Sequence, residues 1–399
     1  MNKKQIVGIV IFILLILIIV GIKVFGGTNS NNGGIIPKNL TTVYVATGGG
    51  KEDFISDEDI IKIMQKKYKL NVVYDNWSNG KTVKLPLVRE SVDLGNKNVD
   101  KNNITINSNG VTKYDALFTS DQRFYDYYKL QPNKEAGEAD RYQVLDGGLV
   151  LYTPIVLYSW KDVVNKLMEH GIVTKGEDGI HYITDMNKLI TFILESKNWS
   201  DIGLTDLYGK INVASTDPVT SSPGATYYGL LLSTMTGGDL SNEQVQANLP
   251  KLKEFYKKSG YMNNTPADLF ELYLRTGEGA YPMIVDYEKS IVDLANSDKE
   301  AYNAIKDKMV ILYPRPTIWN SHCIATFTES GNTYLKAFNN KKIQNIAWSK
   351  YGFRVGTTGG NYDVSKTSVT GIPQEITSVT SGLKMDTYNE IINYLSNMN

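Results

Sequence analysis

Residues 42–74 read TVYVATGGGKEDFISDEDIIKIMQKKYKLNVVY, and they carry the clearest indication of fold class in the chain. The two ends of this stretch, residues 42–46 and 70–74, are rich in the β-branched and aromatic side chains that favour strands. Between them, Ile60 and Met64 recur at the spacing that places apolar side chains on one face of a helix. A strand, a helix and a second strand in this order build a parallel sheet. We therefore predict an α/β fold.

The same alternation of strands and helices continues along the chain. The further predicted strands are residues 114–118, 149–157, 210–214, 279–285 and 308–313, and the further predicted helices are residues 121–128, 161–169, 186–196, 225–236 and 243–258. Residues 79–113 are polar, and Asn, Lys and Gly interrupt their short apolar pieces, which predicts a surface hairpin or an insertion. Ser56 is the predicted N-cap of the first helix, because Asp59 follows it by three residues.

Length and composition limit the class of protein. The chain has 399 residues, which is enough for two or three compact domains. Lysine plus arginine equals aspartate plus glutamate at 42 each, so no net positive charge attracts nucleic acid. The single cysteine, Cys323, excludes an intrachain disulfide. The sequence predicts a globular protein that depends on its hydrophobic core and does not bind nucleic acid.

The N-terminus predicts the compartment. Residues 6–22 are apolar apart from glycine, and they follow the basic residues Lys3 and Lys4. A run of about 17 to 25 apolar residues can cross a bilayer as a helix, and basic flanking residues tend to remain in the cytoplasm. We predict a single-pass transmembrane signal anchor at residues 1–25, which holds an extracellular ectodomain at the cell membrane.

A cleaved signal peptide is the alternative interpretation of the same segment. Val24 and Gly26 are aliphatic or small residues of the kind that a signal peptidase accepts. However, the apolar run is longer than the core of about 7 to 15 residues that is usual in signal peptides. Residues 26–39 are rich in Gly, Asn and Ser, which predicts a flexible linker between the anchor and the folded part.

Six segments carry a resemblance to a known family. They are YDALFTSDQ at 114–122, LYTPIVLYSWKDV at 151–163, GKINVASTDPVTSSPGA at 209–225, GAYPMIVDYEKSI at 279–291, VILYPRPTIWNSH at 310–322 and YGFRVG at 351–356. Taken in this order, they resemble the type 2 periplasmic or extracellular solute-binding proteins. The resemblance is to the sulfate- and molybdate-binding branch and to the modules that are fused to von Willebrand A domains.

The resemblance implies a two-lobed fold that holds a ligand in the cleft between the lobes. The chain would cross between the lobes near residues 150–157 and again near residues 311–319. The implied boundaries are a first part of lobe 1 at residues 40–155, lobe 2 at residues 156–312 and a return to lobe 1 at residues 313–399.

The implied function is that of a bacterial, membrane-tethered solute-binding protein that captures a small molecule for an ABC-type permease or for sensing. Gram-positive receptors of this kind are usually anchored through a lipidated cysteine, which is absent from this N-terminus. The alternative is an interaction module, in which the fold is a surface scaffold for another cell-envelope protein and the cleft is not used.

The expected ligand contacts follow the strands, because an open α/β sheet binds ligands beyond the carboxyl ends of its strands. They are Thr47, Gly48, Gly49, Ser120, Ser221, Ser222, Gly224, Asp286 and Tyr287. Glycine amides and hydroxyl groups at helix starts suit ligand oxygens, although a glycine-rich turn and ordinary helix caps explain the same residues. Asp286 leaves a zwitterionic, cationic or neutral ligand open beside an anionic one, because a carboxylate repels a nearby anion.

The catalytic and metal-binding motifs that we sought do not occur. No serine has the flanking glycines of GxSxG, and His170, His181 and His322 do not form HExxH. The glycine run at residues 48–50 is not a P-loop, because Glu52 stands where that motif needs Ser or Thr. We predict a protein that is not an enzyme and has no cofactor and no metal site.

Overall fold

The computed structural model describes residues 39–76, 114–130, 144–263, 265–356 and 362–396. Asn39–Asn399 forms one compact unit. The predicted anchor, the predicted linker except Asn39, and the predicted insertion at residues 79–113 lie outside the described residues. Within those described ranges, no helix is both long enough and apolar enough to cross a membrane.

The described residues form a mixed sheet with helices packed on it, which confirms the α/β prediction. The strands are β1 (Thr41–Thr47), β2 (Leu70–Asn76), β3 (Ala116–Phe118), β4 (Asp146–Trp160), β5 (Val173–Lys175), β6 (His181–Ile183), β7 (Met283–Tyr287), β8 (Met309–Pro314), β9 (Trp319–Thr326) and β10 (Arg354–Val355). The helices are α1 (Glu52–Ile55), α2 (Glu58–Tyr68), α3 (Gln122–Leu130), α4 (Lys161–Glu169), α5 (Met186–Leu194), α6 (Ser222–Met235), α7 (Asn242–Ser259), α8 (Pro266–Thr276), α9 (Glu288–Ser297), α10 (Lys299–Ile305), α11 (Glu329–Ala337), α12 (Lys341–Tyr351) and α13 (Met385–Ser396). The strand order is β2-β1-β3-β9-β4-β8-β6-β5, and β10 and β7 also pair with β4.

Strand β4 belongs to both halves of the sheet. Its first part, residues 146–154, pairs with β9, and its second part, residues 155–160, pairs with β7 and β8. We define lobe 1 as the half that contains β1, β2, β3, β9 and β10, and lobe 2 as the half that contains β5, β6, β7 and β8. The chain passes from lobe 1 to lobe 2 within β4 and returns between β8 and β9. The domain boundaries given above stay predictions.

Each lobe has its own hydrophobic core. In lobe 1, Phe118 and Ile324 of the sheet pack against Phe338, and the rings of Phe118 and Phe338 meet edge to face at 5.3 Å. In lobe 2, Tyr158 of β4 packs against Phe270 of α8 at 5.2 Å between ring centres. Burying one such large apolar side chain contributes about 1.5 to 3 kcal/mol to stability. Two separate cores allow the lobes to behave as units on either side of β4.

A buried ion pair joins the two lobes beside β4. Arg354 in β10 and Glu288 at the start of α9 are both 0% exposed, and two hydrogen bonds of 2.6 and 2.8 Å connect the guanidinium to the carboxylate. Tyr313 donates a further hydrogen bond to Glu288 at 2.7 Å, and Arg354 donates to the carbonyl oxygens of Pro373 and Gln374. These bonds satisfy the charges and offset the cost of taking them out of water.

Helices α9 of lobe 2 and α12 of lobe 1 also pack closely. Gly352 caps α12 with a φ of +70°, and a Cβ at this position would lie 2.8 Å from Lys289 Cα. Glycine is therefore required both by the left-handed backbone and by the near approach of α9. Asn296 of α9 adds a hydrogen bond to the carbonyl oxygen of Ser349 at 2.9 Å.

The C-terminal segment, residues 362–396, extends across both lobes. Val369, Ile372, Leu383 and Ile391 belong to the core of lobe 2. Helix α13 packs against α7 of lobe 2 and also against α3 of lobe 1. The segment therefore forms a second physical connection between the lobes.

Two local expectations were wrong. Residues 210–214 do not form a strand, because the segment meets β7 at only one residue pair, Ala214 with Ile284. The N-cap of α2 is Asp57 and not Ser56, since the Asp57 carboxylate accepts hydrogen bonds from two backbone amides of the first turn. A charged acceptor makes stronger hydrogen bonds to those amides than a hydroxyl group does.

Candidate ligand-binding cleft

The ends of several strands meet where the two lobes face each other. In lobe 1, β1 and β3 are parallel and β9 is antiparallel to β3, so the ends of β1 and β3 lie beside the start of β9. In lobe 2, the end of β7 faces this edge, because the Tyr287 hydroxyl lies within electrostatic range of Asp121 and Arg123, which follow β3. The predicted contacts after β1, β3 and β7 are thus grouped at one interlobe cleft.

Lys51 organises the glycine-rich loop after β1. Its Nζ donates to the carbonyl oxygen of Gly48 at 2.9 Å and to the hydroxyl oxygen of Ser120 at 2.9 Å. The Ser120 hydroxyl donates in turn to the carbonyl oxygen of Gly49 at 2.7 Å, and buried Thr47 donates to Gly48 at 3.1 Å. The loop after β1 and the loop after β3 are therefore joined through one lysine.

The environment of Lys51 disfavours its positive charge. The side chain is 2% exposed, and Nζ lies 4.7 Å from the centre of the Phe118 ring. Burial lowers the pKa of Lys51 to about 7; Lys289 lowers it further, and Glu52 acts in the opposite direction. A ligand with negative charge beside Nζ would favour the protonated amine.

Asn320 and His322 of β9 present buried polar atoms to the same region. Asn320 Nδ2 and His322 Nε2 lie 3.3 Å apart. Among the described residues, no hydrogen bond of ordinary geometry reaches Asn320 Oδ1 or His322 Nδ1, although the backbone of Thr119 interacts with the His322 ring. Burial, together with the positive charges of Lys51 and Lys289, holds the pKa of His322 well below its usual range. The imidazole is therefore neutral near pH 7 and offers one nitrogen as an acceptor and one as a donor.

Asp286 is the corresponding buried group of lobe 2. It is 1% exposed, and its Oδ1 accepts a hydrogen bond from the backbone amide of Tyr287 at 2.7 Å. No donor of the described residues makes a hydrogen bond of ordinary geometry to its Oδ2, although the Ser290 hydroxyl lies near enough to favour the ionised form. Burial raises the pKa of Asp286 to about 6, although Tyr287, Ser290 and Lys289 favour the ionised form. An unpaired buried carboxylate oxygen costs free energy, which a donor on a ligand would recover.

Helix α6 brings its first turn to the cleft. Ser222 is the first helical residue, so helix capping does not explain its hydroxyl group. Ser221 holds the cap position, and its side chain makes no capping hydrogen bond. Thr226, one turn after Ser222, lines the open part of the cleft. Gly224 has a packing role, because a Cβ there would lie 2.2 Å from the carbonyl oxygen of Thr216.

A cavity of about 420 Å³ opens between the lobes on the face of β9 that carries Trp319 and Ser321. None of the nine predicted contacts lines this cavity, and neither do Lys51, Asn320 and His322. Its wall combines residues of both lobes and of the C-terminal segment, including Asp121, Arg123, Thr226, Trp319, Ser321 and residues 379–383. Arg123 pairs with Asp121 through bonds of 2.6 and 2.9 Å and lies over the Tyr388 ring at 3.8 Å. Small-molecule sites have volumes of about 300 to 1,000 Å³, so the cavity suits a small polar ligand.

The sequence prediction missed several polar residues of this cleft. They are Lys51, Asp121, Arg123, Asn320 and His322. Lys51 directly follows the glycine run, and His322 ends one of the six family-like segments. Both positions in the sequence indicated that these residues lie near the predicted ligand contacts. The pattern gave no signal of burial, because lysine and histidine are exposed in most local contexts. The role of the nine predicted residues as ligand contacts stays a prediction.

Comparisons with known proteins rest on structure alone. No protein-family model and no curated protein sequence matches the chain. An extracellular solute-binding protein from Bordetella parapertussis aligns with a TM-score of 0.53 and 12% identity, over 89% of this chain and 97% of that protein. An ABC transporter protein from Clostridium perfringens aligns with a TM-score of 0.50 and 13% identity, over 89% of this chain and 98% of the other.

These alignments cover nearly the whole of both structures, whereas the sequence identity is too low to transfer a ligand. The sulfate- and molybdate-binding branch and the link to von Willebrand A modules stay predictions. With its two sheets joined through β4 and its interlobe cleft, the chain has the two-lobed α/β fold of the solute-binding proteins.

Proposed function

We propose that the protein is a solute-binding protein that captures a small polar ligand in the interlobe cleft. The observation that carries the proposal is the set of buried polar atoms without partners where the lobes meet: Asp286 Oδ2, Asn320 Oδ1 and His322 Nδ1. Native proteins leave few such atoms unsatisfied. The described residues hold others, such as the Tyr227 hydroxyl and Asn212 Oδ1, but the three named here come from different lobes. A ligand that donates and accepts hydrogen bonds would satisfy atoms from both lobes at once.

The groups around the cleft favour a ligand with mixed polarity. Lys289 supplies positive charge, Lys51 supplies a buried amine whose pKa is lowered to about 7, and Asp286 supplies a carboxylate. A zwitterion or a neutral polyol complements these charged groups better than a bare oxyanion does. The reason is that Asp286, unless it is protonated, would repel a bare oxyanion. The anionic ligand expected from the sulfate- and molybdate-binding resemblance remains the competing chemistry.

The cellular part of the proposal comes from the N-terminal sequence. The apolar run at residues 6–22 would tether the ectodomain outside the membrane. A tethered binding protein in that position would deliver its ligand to an ABC-type permease or report it to a sensory partner. The structural likeness to an extracellular solute-binding protein supports an extracellular location.

A surface scaffold is the second candidate, and one observation favours it. The Arg354–Glu288 pair and the packing of α9 against α12 fix the lobes together on one side of β4. Such contacts resist hinge motion. A scaffold would use the fold as a rigid surface for another cell-envelope protein and would leave the cleft empty.

Ligand-induced closure separates the two candidates. We expect a bound solute to draw the lobes together, because it bridges groups that belong to different lobes. Residues 39–399 form one compact unit and can be screened by thermal shift against sulfate, molybdate, L-amino acids and monosaccharides. X-ray scattering with the best of these probes should then give a smaller radius of gyration than the free protein. Binding with an unchanged radius of gyration, or no binding by any class of probe, would favour the rigid scaffold.

Substitution of Ser120 or Ser222 by alanine tests the two predicted hydroxyl contacts. If they only stabilise local structure, Ser120→Ala should lower stability by about 0.5 to 1.5 kcal/mol through its lost hydrogen bonds. Ser222→Ala should lower it less, because Ser222 does not cap its helix, and neither change should alter the ligand-induced shift. If they bind, the shift itself should fall. A probe at about a hundred times its dissociation constant stabilises the protein by about 2.7 kcal/mol, and a tenfold loss of affinity removes roughly half of that.

Thermal-shift titration of the two serine variants, with and without probe, distinguishes these costs. Thr191→Ala is a matched control, because its exposed hydroxyl donates only to a carbonyl oxygen of its own helix. Equal probe-induced shifts in the wild type, both serine variants and the control would remove Ser120 and Ser222 from the site.

A further inference from the structure

A large open groove lies on lobe 1, apart from the interlobe cleft. It runs between α2 and the start of α12 and has a volume of about 1040 Å³. Its lysines are Lys62, Lys66, Lys67, Lys341 and Lys342, and its apolar residues are Ile63, Tyr68 and Ile346. We call these residues the lysine groove.

The lysine groove is strongly basic in a chain without net charge. Five lysines line it, and Asp59 is the one carboxylate among the described lining residues. Lys62 pairs with Glu58 and Asp59. Four of the lysines are exposed and form no ion pair with a carboxylate of the described residues; they are Lys66, Lys67, Lys341 and Lys342. Four unpaired cations on one surface attract an anionic partner.

The floor of the groove is apolar, and this limits the class of anionic partner that the groove fits. Ile63, Tyr68 and Ile346 are half-buried and pack at the edge of the lobe 1 core, and Ile61 on the same helix is 39% exposed. A soluble anion such as free phosphate gains nothing from apolar surface. An amphiphile with an anionic head and an apolar body uses both parts of the groove.

The first strand, β1, begins beside the end of α2, which forms one side of the same groove. The backbone amide of Thr41 at the start of β1 donates to the carbonyl oxygen of Lys69 at 2.8 Å, and Lys69 directly follows α2. The stretch between the apolar run and this point, residues 23–40, is short enough to keep the start of β1 within about 60 Å of a membrane anchor even when fully extended.

We propose that the lysine groove binds anionic phospholipid. The lysines contact the headgroup phosphates, and the apolar floor receives part of the lipid body. The attraction is electrostatic and is screened within about one Debye length. This surface is separate from the cleft, so the proposal does not depend on ligand binding there.

Vesicle sedimentation with residues 39–399 tests the proposal without the anchor. We expect binding to vesicles of phosphatidylglycerol and phosphatidylcholine in equal amounts, and no binding to phosphatidylcholine alone. Raising the salt from about 0.05 M to about 0.5 M shortens the Debye length from roughly 14 Å to roughly 4 Å and should release the protein. Replacing all four unpaired lysines by glutamine should weaken the partition coefficient by more than about tenfold.

A control variant has the same change in charge at another surface. It carries glutamine at four exposed lysines of lobe 2, namely Lys251, Lys257, Lys299 and Lys306. The proposal expects this variant to bind vesicles like the wild type. Equal weakening of both variants, equal binding to both kinds of vesicle, or lysine-dependent binding to poly-L-glutamate without binding to vesicles would each overturn it. The last outcome would identify the partner as an acidic protein segment.

Discussion

Replacing Arg354 by alanine is expected to lower the free energy of unfolding by about 3 to 5 kcal/mol, because it leaves Glu288 buried without its counter-ion. Both side chains are 0% exposed. The change also removes the donors that hold the carbonyl oxygens of Pro373 and Gln374. Urea unfolding of residues 39–399, followed by tryptophan fluorescence and circular dichroism, measures the loss.

Two further variants show whether the loss comes from the buried charge. Arg315→Ala removes an exposed arginine that lies over the Tyr182 ring and should change stability far less. The double variant Glu288→Leu with Arg354→Met leaves no unpaired charge, so it should be more stable than Arg354→Ala. If Arg354→Ala costs no more than Arg315→Ala, the pair does not hold the lobes together.

Replacing Asp286 by asparagine is expected to raise stability at pH 7.5 and to weaken ligand binding. Burial raises the pKa of Asp286 to about 6 from an ordinary value of 3.8, so keeping this group ionised in the fold costs on the order of 3 kcal/mol. Asparagine keeps an acceptor for the Tyr287 amide and carries no charge. A residue that lowers stability while serving a site shows the usual conflict between stability and function.

The sign of the pH dependence follows from the raised pKa. Well below pH 3.8, Asp286 is protonated in both the folded and the unfolded protein, so this group makes no difference between wild type and variant there. As the pH rises to about 6, the unfolded state ionises first and the wild type loses stability relative to Asp286→Asn. Above that pH the difference should be constant. Urea unfolding between pH 5 and pH 8 measures it, and a difference that does not grow with pH would contradict the assignment.

Asp178→Asn is a control for which we expect the opposite effect on stability. Its carboxylate is exposed, and a hydrogen bond from Tyr182 lowers its pKa. The ionised form of Asp178 therefore stabilises the fold above the ordinary carboxyl pKa, and this contribution is lost on acidification. The Asp178→Asn variant should be less stable than the wild type at pH 7.5, whereas Asp286→Asn should be more stable.

Local patterns predicted much of the fold, because strands and helices leave a periodic signal in the sequence. The predicted helix at residues 161–169 coincides with α4, and β1 and β2 extend the predicted strands by one or two residues at their ends. The order of elements also indicated which loops end at one edge of a sheet. The positions of the cleft loops were therefore accessible from sequence.

The polar interior of the cleft was not accessible in the same way. Lys51 meets Ser120 across 69 positions of the chain, and Arg354 meets Glu288 across 66. The local sequence pattern does not indicate which charged residue will be buried, because a lysine on a loop is exposed in most proteins. The burial that changes the pKa of Lys51 and of Asp286 exists only once both lobes are assembled.

The shared strand β4 also has a consequence for how the chain acquires its structure. Lobe 1 is built from both ends of the sequence: Thr119 bonds to the backbone of Cys323, 204 positions further along. A nascent chain that has reached only β4 has no β9 to insert between β3 and β4, so the edges of lobe 1 stay open until the last fifth of the protein is synthesised. The strands β5 to β8 of lobe 2 are all made within that interval, but the C-terminal residues Val369, Ile372, Leu383 and Ile391 complete its core only later. Such long-range pairing slows folding, and a slow-folding lobe 1 leaves the polypeptide unfolded for longer, which is the state in which a chain is threaded through a membrane pore.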